Sequence, residues 1–133
     1  MSPLDQGPTL DKAEKLAAIE TLAKKILWLS TWTIHNANFI REKRDGIKVG
    51  GHQASCASSV AILTALYMSA LRPEDRVAVK PHASPVFHAI QYLFGNQTQE
   101  NLENFRAFGG AQSYPSRTKD TDDVDISTGS VGM

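Results

Sequence analysis

The chain has 133 residues and a mass of 14.5 kDa, with 41% apolar and 21% charged side chains. That fits one globular domain with a buried core and excludes collagen-like, low-complexity and wholly disordered classes. Fourteen basic residues balance fourteen acidic ones, so no long-range field steers the chain toward nucleic acid or an acidic membrane surface. The longest apolar stretch, Val60 to Leu71, is broken by Thr64 and Ser69 and falls short of the ~20 residues that cross a bilayer. A single cysteine, Cys56, and an opening with neither a basic nor an apolar leader region favour a soluble protein of the reducing cytoplasm.

Residues 1–9, with Pro3, Gly7 and Pro8, read as a flexible arm. From Leu10 onward Leu16, Ile19, Leu22, Ile26, Leu29 and Thr33 recur at helical spacing, and Asp11 with Glu14 forms a capping-box pattern. One helix from Asp11 to Asn38 is predicted, its apolar side widened by Trp28 and Trp32 until it needs a covering partner. The charge run Arg41 to Asp45 reads as a solvated connection. Gly46, Gly50 and Gly51 then crowd a loop ending in His52, a place where backbone could approach a ligand closely.

Ser55 to Leu71 reads as a closely packed, largely buried helix, ended by Pro73. Arg76 to Lys80 alternates as a short strand. Ser84 and Pro85 are placed as N-cap and first residue of the next helix, with Gly95 as its left-handed cap. Thr98 opens a short helix to about Phe108, stopped by Gly109 and Gly110. The remainder is turn-rich, with Val124 to Ile126 as at most a second short strand.

Three stretches combine imidazole or hydroxyl groups with turn residues: Gly50-Gly51-His52, Pro81-His82-Ala83-Ser84 and Ser127-Thr128-Gly129-Ser130-Val131-Gly132. Each is weak alone, because a loop histidine is more often structural than catalytic, although a helix N-terminus favours developing negative charge. His35 and His88 fall inside helical patterns and are assigned to packing or surface. One cysteine and four dispersed histidines offer no familiar metal-ligand spacing, and no nucleophile elbow is present.

Order raises the specificity. The run Gly50 to Ser59, then Pro81 to Pro85, Leu102-Glu103-Asn104-Phe105-Arg106, Ser113-Tyr114-Pro115 and finally Ser127 to Gly132 resembles the opening part of the thiamine-diphosphate-dependent enzymes. The likeness is to the transketolase family and to the homodimeric decarboxylating component of pyruvate dehydrogenase, and it runs from about Leu16 to the last residue. It implies an α/β fold class, as an N-terminal fragment of a thiamine-diphosphate-binding fold that is mostly helical with one or two short strands. Residues 10–133 would be a partial domain truncated before the metal-binding motif.

The resemblance also implies roles. His52 and His82 match the family's catalytic histidines, Ser55 a hydroxyl on the diphosphate, and Gly129, Ser130 and Val131 the turn against the aminopyrimidine ring. Tyr114 stands where the dehydrogenase branch has Tyr-Pro, which favours that branch. Lys80-Pro81 departs from the Asn-Gly or Gln-Gly usual before the second histidine, leaving the local hydrogen bonding open. The implied cofactors are thiamine diphosphate and Mg2+, the metal ligands lying outside this chain. The implied partners are a small-molecule 2-oxoacid or ketose phosphate substrate and, as homo-oligomer or complex, the rest of the enzyme, so that the chain alone is expected to be inactive. The alternative is a non-catalytic helical interaction module derived from the family.

Overall fold

The computed structural model describes residues 9–131; the predicted arm falls on residues outside these except for Thr9. Helix α1 spans Lys12–His35. Its start is the predicted capping box: the Glu14 amide donates to Asp11 Oδ1 at 2.8 Å and the Asp11 amide donates to Glu14 Oε2 at 3.0 Å. The last turn departs from the expectation by widening into a π-helical turn, Asn36–Ile40. Helix α2, Gln53–Ala65, ends in the same way through Leu66–Ala70. A 3-10 turn, Pro81–Ala83, leads into α3, Ser84–Leu93, and α4 covers Gln99–Glu103 behind its Thr98 cap.

The three longer helices pack on one another around Ile26, Leu29 and Ile34 of α1, Cys56 and Val60 of α2, and Val86, Ala89 and Ile90 of α3. A smaller cluster joins Ala37 to Phe105 and Ala111, and a third joins Val79, Phe87 and Val124. Burying such side chains contributes about 1.5–3 kcal/mol each, and α3 gains most, being buried from Ser84 to Gln91.

Several expectations are corrected. No strand occurs among the described residues, so the α/β class is not seen and the chain is helical and irregular. Residues 76–80 and 124–126 do meet, but through a side chain, the Val77 amide donating to Asp125 Oδ2 at 2.9 Å, and through Val79 against Val124. A carboxylate has taken the donor that a ladder would use. Helix α2 is buried on one side only, at Cys56, Val60 and Thr64, while Ala54, Ala57, Ser58, Ala61 and Ile62 face outward, Ile62 being 70% exposed. Ser84 is inside α3 rather than capping it, because the 3-10 turn runs straight into the helix. The helix after Thr98 stops at Glu103, short of Phe108, where the chain turns through Arg106 with a left-handed φ of 63°. Gly95 does take the expected left-handed φ, 82°.

Among the described residues the stretch beyond α4 has no regular structure to hold it, and a buried polar network does so instead. His88, fully buried on α3, pairs through Nδ1 with the Asp122 carboxylate, and its Nε2 meets the Gln112 carbonyl at 2.6 Å. Gln97 Nε2 donates to Asp122 Oδ1 at 2.9 Å, and Gln97 Oε1 accepts from Asn101 and Thr121 side chains at 2.7 and 3.0 Å. Asp120 accepts from the Gln112 and Ser116 amides at 2.9 and 2.7 Å. Both ring nitrogens of His88 face acceptors, so the ring satisfies both as an imidazolium. Burial alone would depress its pKa, but the Asp122 hydrogen bond and charge, with the Gln112 carbonyl, outweigh it and raise the pKa above 6.5.

A folded-state pKa above the unfolded one means that protonated His88 stabilises the fold fully below about pH 6.5, and that this contribution is lost as pH rises through the raised value. Denaturant melts should therefore show stability falling from near-neutral pH into the alkaline range, with a shallower fall in Asp122→Asn. At pH 6 that variant should lose about 3 kcal/mol, the cost of leaving one buried partner alone. Parallel pH profiles for the two proteins would refute the pairing.

Candidate functional site

His52 and His82, thirty positions apart in sequence, come together with ring centroids at 5.3 Å and planes 24° apart. Both are exposed. His52 arrives there as the N-cap of α2, at the end of a loop that α1 holds from behind. Asn38, in the π-helical turn and 5% exposed, donates from Nδ2 to the Gly50 carbonyl at 2.8 Å and accepts from the Gly50 amide at Oδ1 at 2.9 Å. This two-way clamp resembles one rung of a ladder made by a side chain. Gly50 and Gly51 have φ of 96° and 114°, values that suit glycine. A Cβ at Gly51 would stand 3.0 Å from two carbons of Ile34, and one at Gly50 would stand 2.6 Å from Arg106 Nη1.

The backbone that carries the other imidazole is tied to α2. Burial pushes the Cys56 thiol up to about 11, against the opposing Val86 backbone bond, so the protonated thiol donates to the His82 carbonyl at 3.4 Å. The first turn of α2 therefore carries both the N-cap imidazole and the bond that seats its neighbour. His52 makes no side-chain capping bond, which leaves the first-turn amides of α2 open to an anion. Ser55 lies exposed in that turn, and no bond from its hydroxyl is found among the described residues.

The remaining predicted residues gather at a second place that is tied to the first. Tyr114 Oη donates to Ser130 Oγ at 3.2 Å, bringing two of the predicted stretches together. Lys80, two residues before His82, donates from Nζ to the Gly129 carbonyl at 3.2 Å, so the departure at Lys80-Pro81 supplies a link from the His82 turn to the terminal turn. A hollow of about 410 Å3 lies there, lined by Tyr114, Ser127, Thr128 and Gly129 among others. Val131 stands 91% exposed. Gly132 lies outside the described residues.

Three groups escaped the reading of the sequence. Asn38 falls four positions after Ile34, a polar side chain at a core register, and that was its available signal. His88 and Gln91 lie three positions apart on a buried helix, and such a polar pair announces a network even though the partner Asp122 cannot be named from spacing. His88, Asp120 and Asp122 also bring ligand-type atoms within 4.8 Å of one another, but each already has protein hydrogen-bond partners. Arg106 had no signal of its left-handed backbone.

Comparison with known proteins finds similarity to the pyruvate dehydrogenase E1 component of Mycobacterium tuberculosis, 32% identical over 119 residues, covering 81% of this chain and 12% of that protein. The corresponding protein of Mycolicibacterium smegmatis is 30% identical over 119 residues, with the same coverage of each chain. That of Escherichia coli K12 is 32% identical over 99 residues, 68% of this chain and 11% of that protein. The chain thus spans a small part of the curated relatives it matches. No family model matches it, and no solved structure does.

Replacing Asn38 by leucine keeps the volume and removes the clamp on Gly50. The variant should lose about 1 kcal/mol of stability, since two partly buried backbone groups lose their partner. Amide exchange at residues 50–55 should quicken, and the cross-relaxation between the His52 and His82 rings should weaken. Unchanged ring proximity would show that α2 alone sets the pair.

Proposed function

We propose that this chain forms one wall of the cofactor site of a thiamine-diphosphate-dependent 2-oxoacid decarboxylase related to the pyruvate dehydrogenase E1 component. The observation that carries this reading is the approach of His52 and His82 at an uncapped helix start, in a chain whose curated relatives bear that name. Those relatives give no support to the transketolase branch. A non-catalytic module would have no need of two exposed imidazoles placed side by side by a buried clamp and a buried thiol.

The donors fit the cofactor's anionic end. The first-turn amides of α2, the Ser55 hydroxyl and the two imidazoles are all hydrogen-bonding groups suited to a diphosphate or to an oxyanion. Thiamine diphosphate, when bound, supplies the carbon nucleophile and the electron sink. His52 and His82 would hold or pass a proton at their ring nitrogens and orient the substrate's oxo acid group. Tyr114, Gly129, Ser130 and Val131 would line the far side of the same wall, fixed to it by the Lys80 bond. No carboxylate belongs to this set, so Mg2+ would be held by residues beyond it. The substrate and the oligomeric assembly with the remainder of the enzyme belong to this proposal as well.

Two measurements test it. In the assembled enzyme containing this chain, His52→Ala and His82→Ala should each lower 2-oxoacid turnover at least about tenfold, within the range of acid-base contributions, with the fold intact by circular dichroism. For the isolated, isotope-labelled chain, thiamine diphosphate with magnesium should shift signals of residues 52–55, 82, 114 and 127–131 with a dissociation constant weaker than about micromolar, because only part of the contact surface is present. Full turnover in both variants, or no response at either imidazole, would overturn the assignment.

A further inference from the structure

Residues of the 43–49 loop and of the 106–114 segment enclose a cleft of about 600 Å3 whose lining includes Lys43, Lys48, Arg106, Tyr114 and Asp45. Three cationic side chains thus line it with one carboxylate, in a chain whose charges balance as a whole. The carboxylate is partly spent on the turn, Asp45 Oδ1 accepting from the Ile47 amide at 2.9 Å.

The cations are held rather than loose. Lys43 Nζ donates to the Asn38 carbonyl at 2.7 Å, and Lys48 Nζ lies 5.8 Å from the centre of the Phe39 ring. Arg106 is fixed four ways. Its backbone takes a left-handed φ of 63°, which disfavours any residue with a Cβ. Its guanidinium stands 5.4 Å from the centre of the Phe105 ring, and Nη1 donates to the Val49 carbonyl at 3.0 Å. Gly50 leaves the room that Nη1 occupies, since a Cβ there would meet it at 2.6 Å. A strained backbone that aims a guanidinium is a feature of binding sites more than of solvated surface. Most of its five donors, and most of the lysine donors, remain for a ligand.

We propose that this cleft binds the oxyanion group of a small ligand, a carboxylate or a phosphate, with Arg106 as a forked donor and Lys43 and Lys48 as flanking charges. The site uses neither His52 nor His82 and shares only Tyr114 with the thiamine reading.

The test is titration of the isotope-labelled chain with sodium phosphate and, separately, sodium malonate at constant ionic strength. At least one should give saturable amide shifts confined to residues 43–50 and 105–114, with a dissociation constant of about 10 mM or tighter; whichever saturates first identifies the group as phosphate or carboxylate. Lys48→Gln, at an exposed position, should weaken binding at least about fivefold, the loss expected for one charge-assisted bond. Arg106→Gly should do the same with no drop in the thermal midpoint, because it relieves the left-handed strain. Shifts that rise linearly with both salts, or equal affinity in both variants, would overturn the proposal. So would a glutamate-rich peptide saturating the same signals at a hundredfold lower concentration, which would give the cleft to a protein segment.

Discussion

A buried imidazolium facing a buried carboxylate fastens the irregular end of this chain to its helical body. Beyond Glu103 the described backbone forms neither helix nor strand, so the usual ladders cannot hold it. His88 and Asp122, with Gln97 and Asp120 around them, replace those ladders by side-chain bonds into α3 and α4. The network sets the segment between Tyr114 and the Gly129 turn, and the Lys80 and Tyr114 bonds hold its two ends. A pair buried from water is expensive to form and more expensive to leave half-made, which makes the position of the segment close to all-or-none.

The helices play the complementary part. Alpha1 supplies the clamp on Gly50 from a π-helical turn, and it does so because the wider turn brings Asn38 inward at the depth where Ile34 already meets Gly51. Alpha2 then carries His52 at its start and the Cys56 thiol one turn on. The two imidazoles are therefore set by elements with their own packing, the condition under which a small exposed pair keeps its geometry.

Local rules made much of this visible beforehand. The Asp11–Glu14 box, the Gly95 cap and the Thr98 cap are short-range patterns, and each appears where the residues placed it. His52 lies beside His82 and Tyr114 beside Ser130, contacts that spacing alone does not dictate. What failed depended on partners. Arg76 to Lys80 alternates like a strand, but the 124–126 segment beside it offers a side-chain carboxylate and no paired edge. The Ala and Ser residues of α2 are expected inside; small side chains permit close packing without requiring it, and among the described residues no helix covers that face. Asp122 could be joined to His88 only by a fold that closes across thirty-four positions.

That open face bears on how the chain should be understood. Ile62 on α2, Phe39 and Ile40 in the first π-helical turn, and Trp28, stacked on Trp32, on α1 leave large apolar side chains 56–70% exposed. Isolated exposed hydrophobes are ordinary, but these lie on two neighbouring helices that also shape the histidine site. The matched relatives are about eight times longer than the matched stretch, 12% of their length, so in them this stretch has far more protein around it. The imidazoles do not need that surrounding protein to meet, since Asn38, Cys56 and the glycine loop suffice. A ligand between them would need it, because two exposed rings and an uncapped helix start contact one side of a molecule only, and one-sided contact leaves its charge in water where each hydrogen bond contributes little.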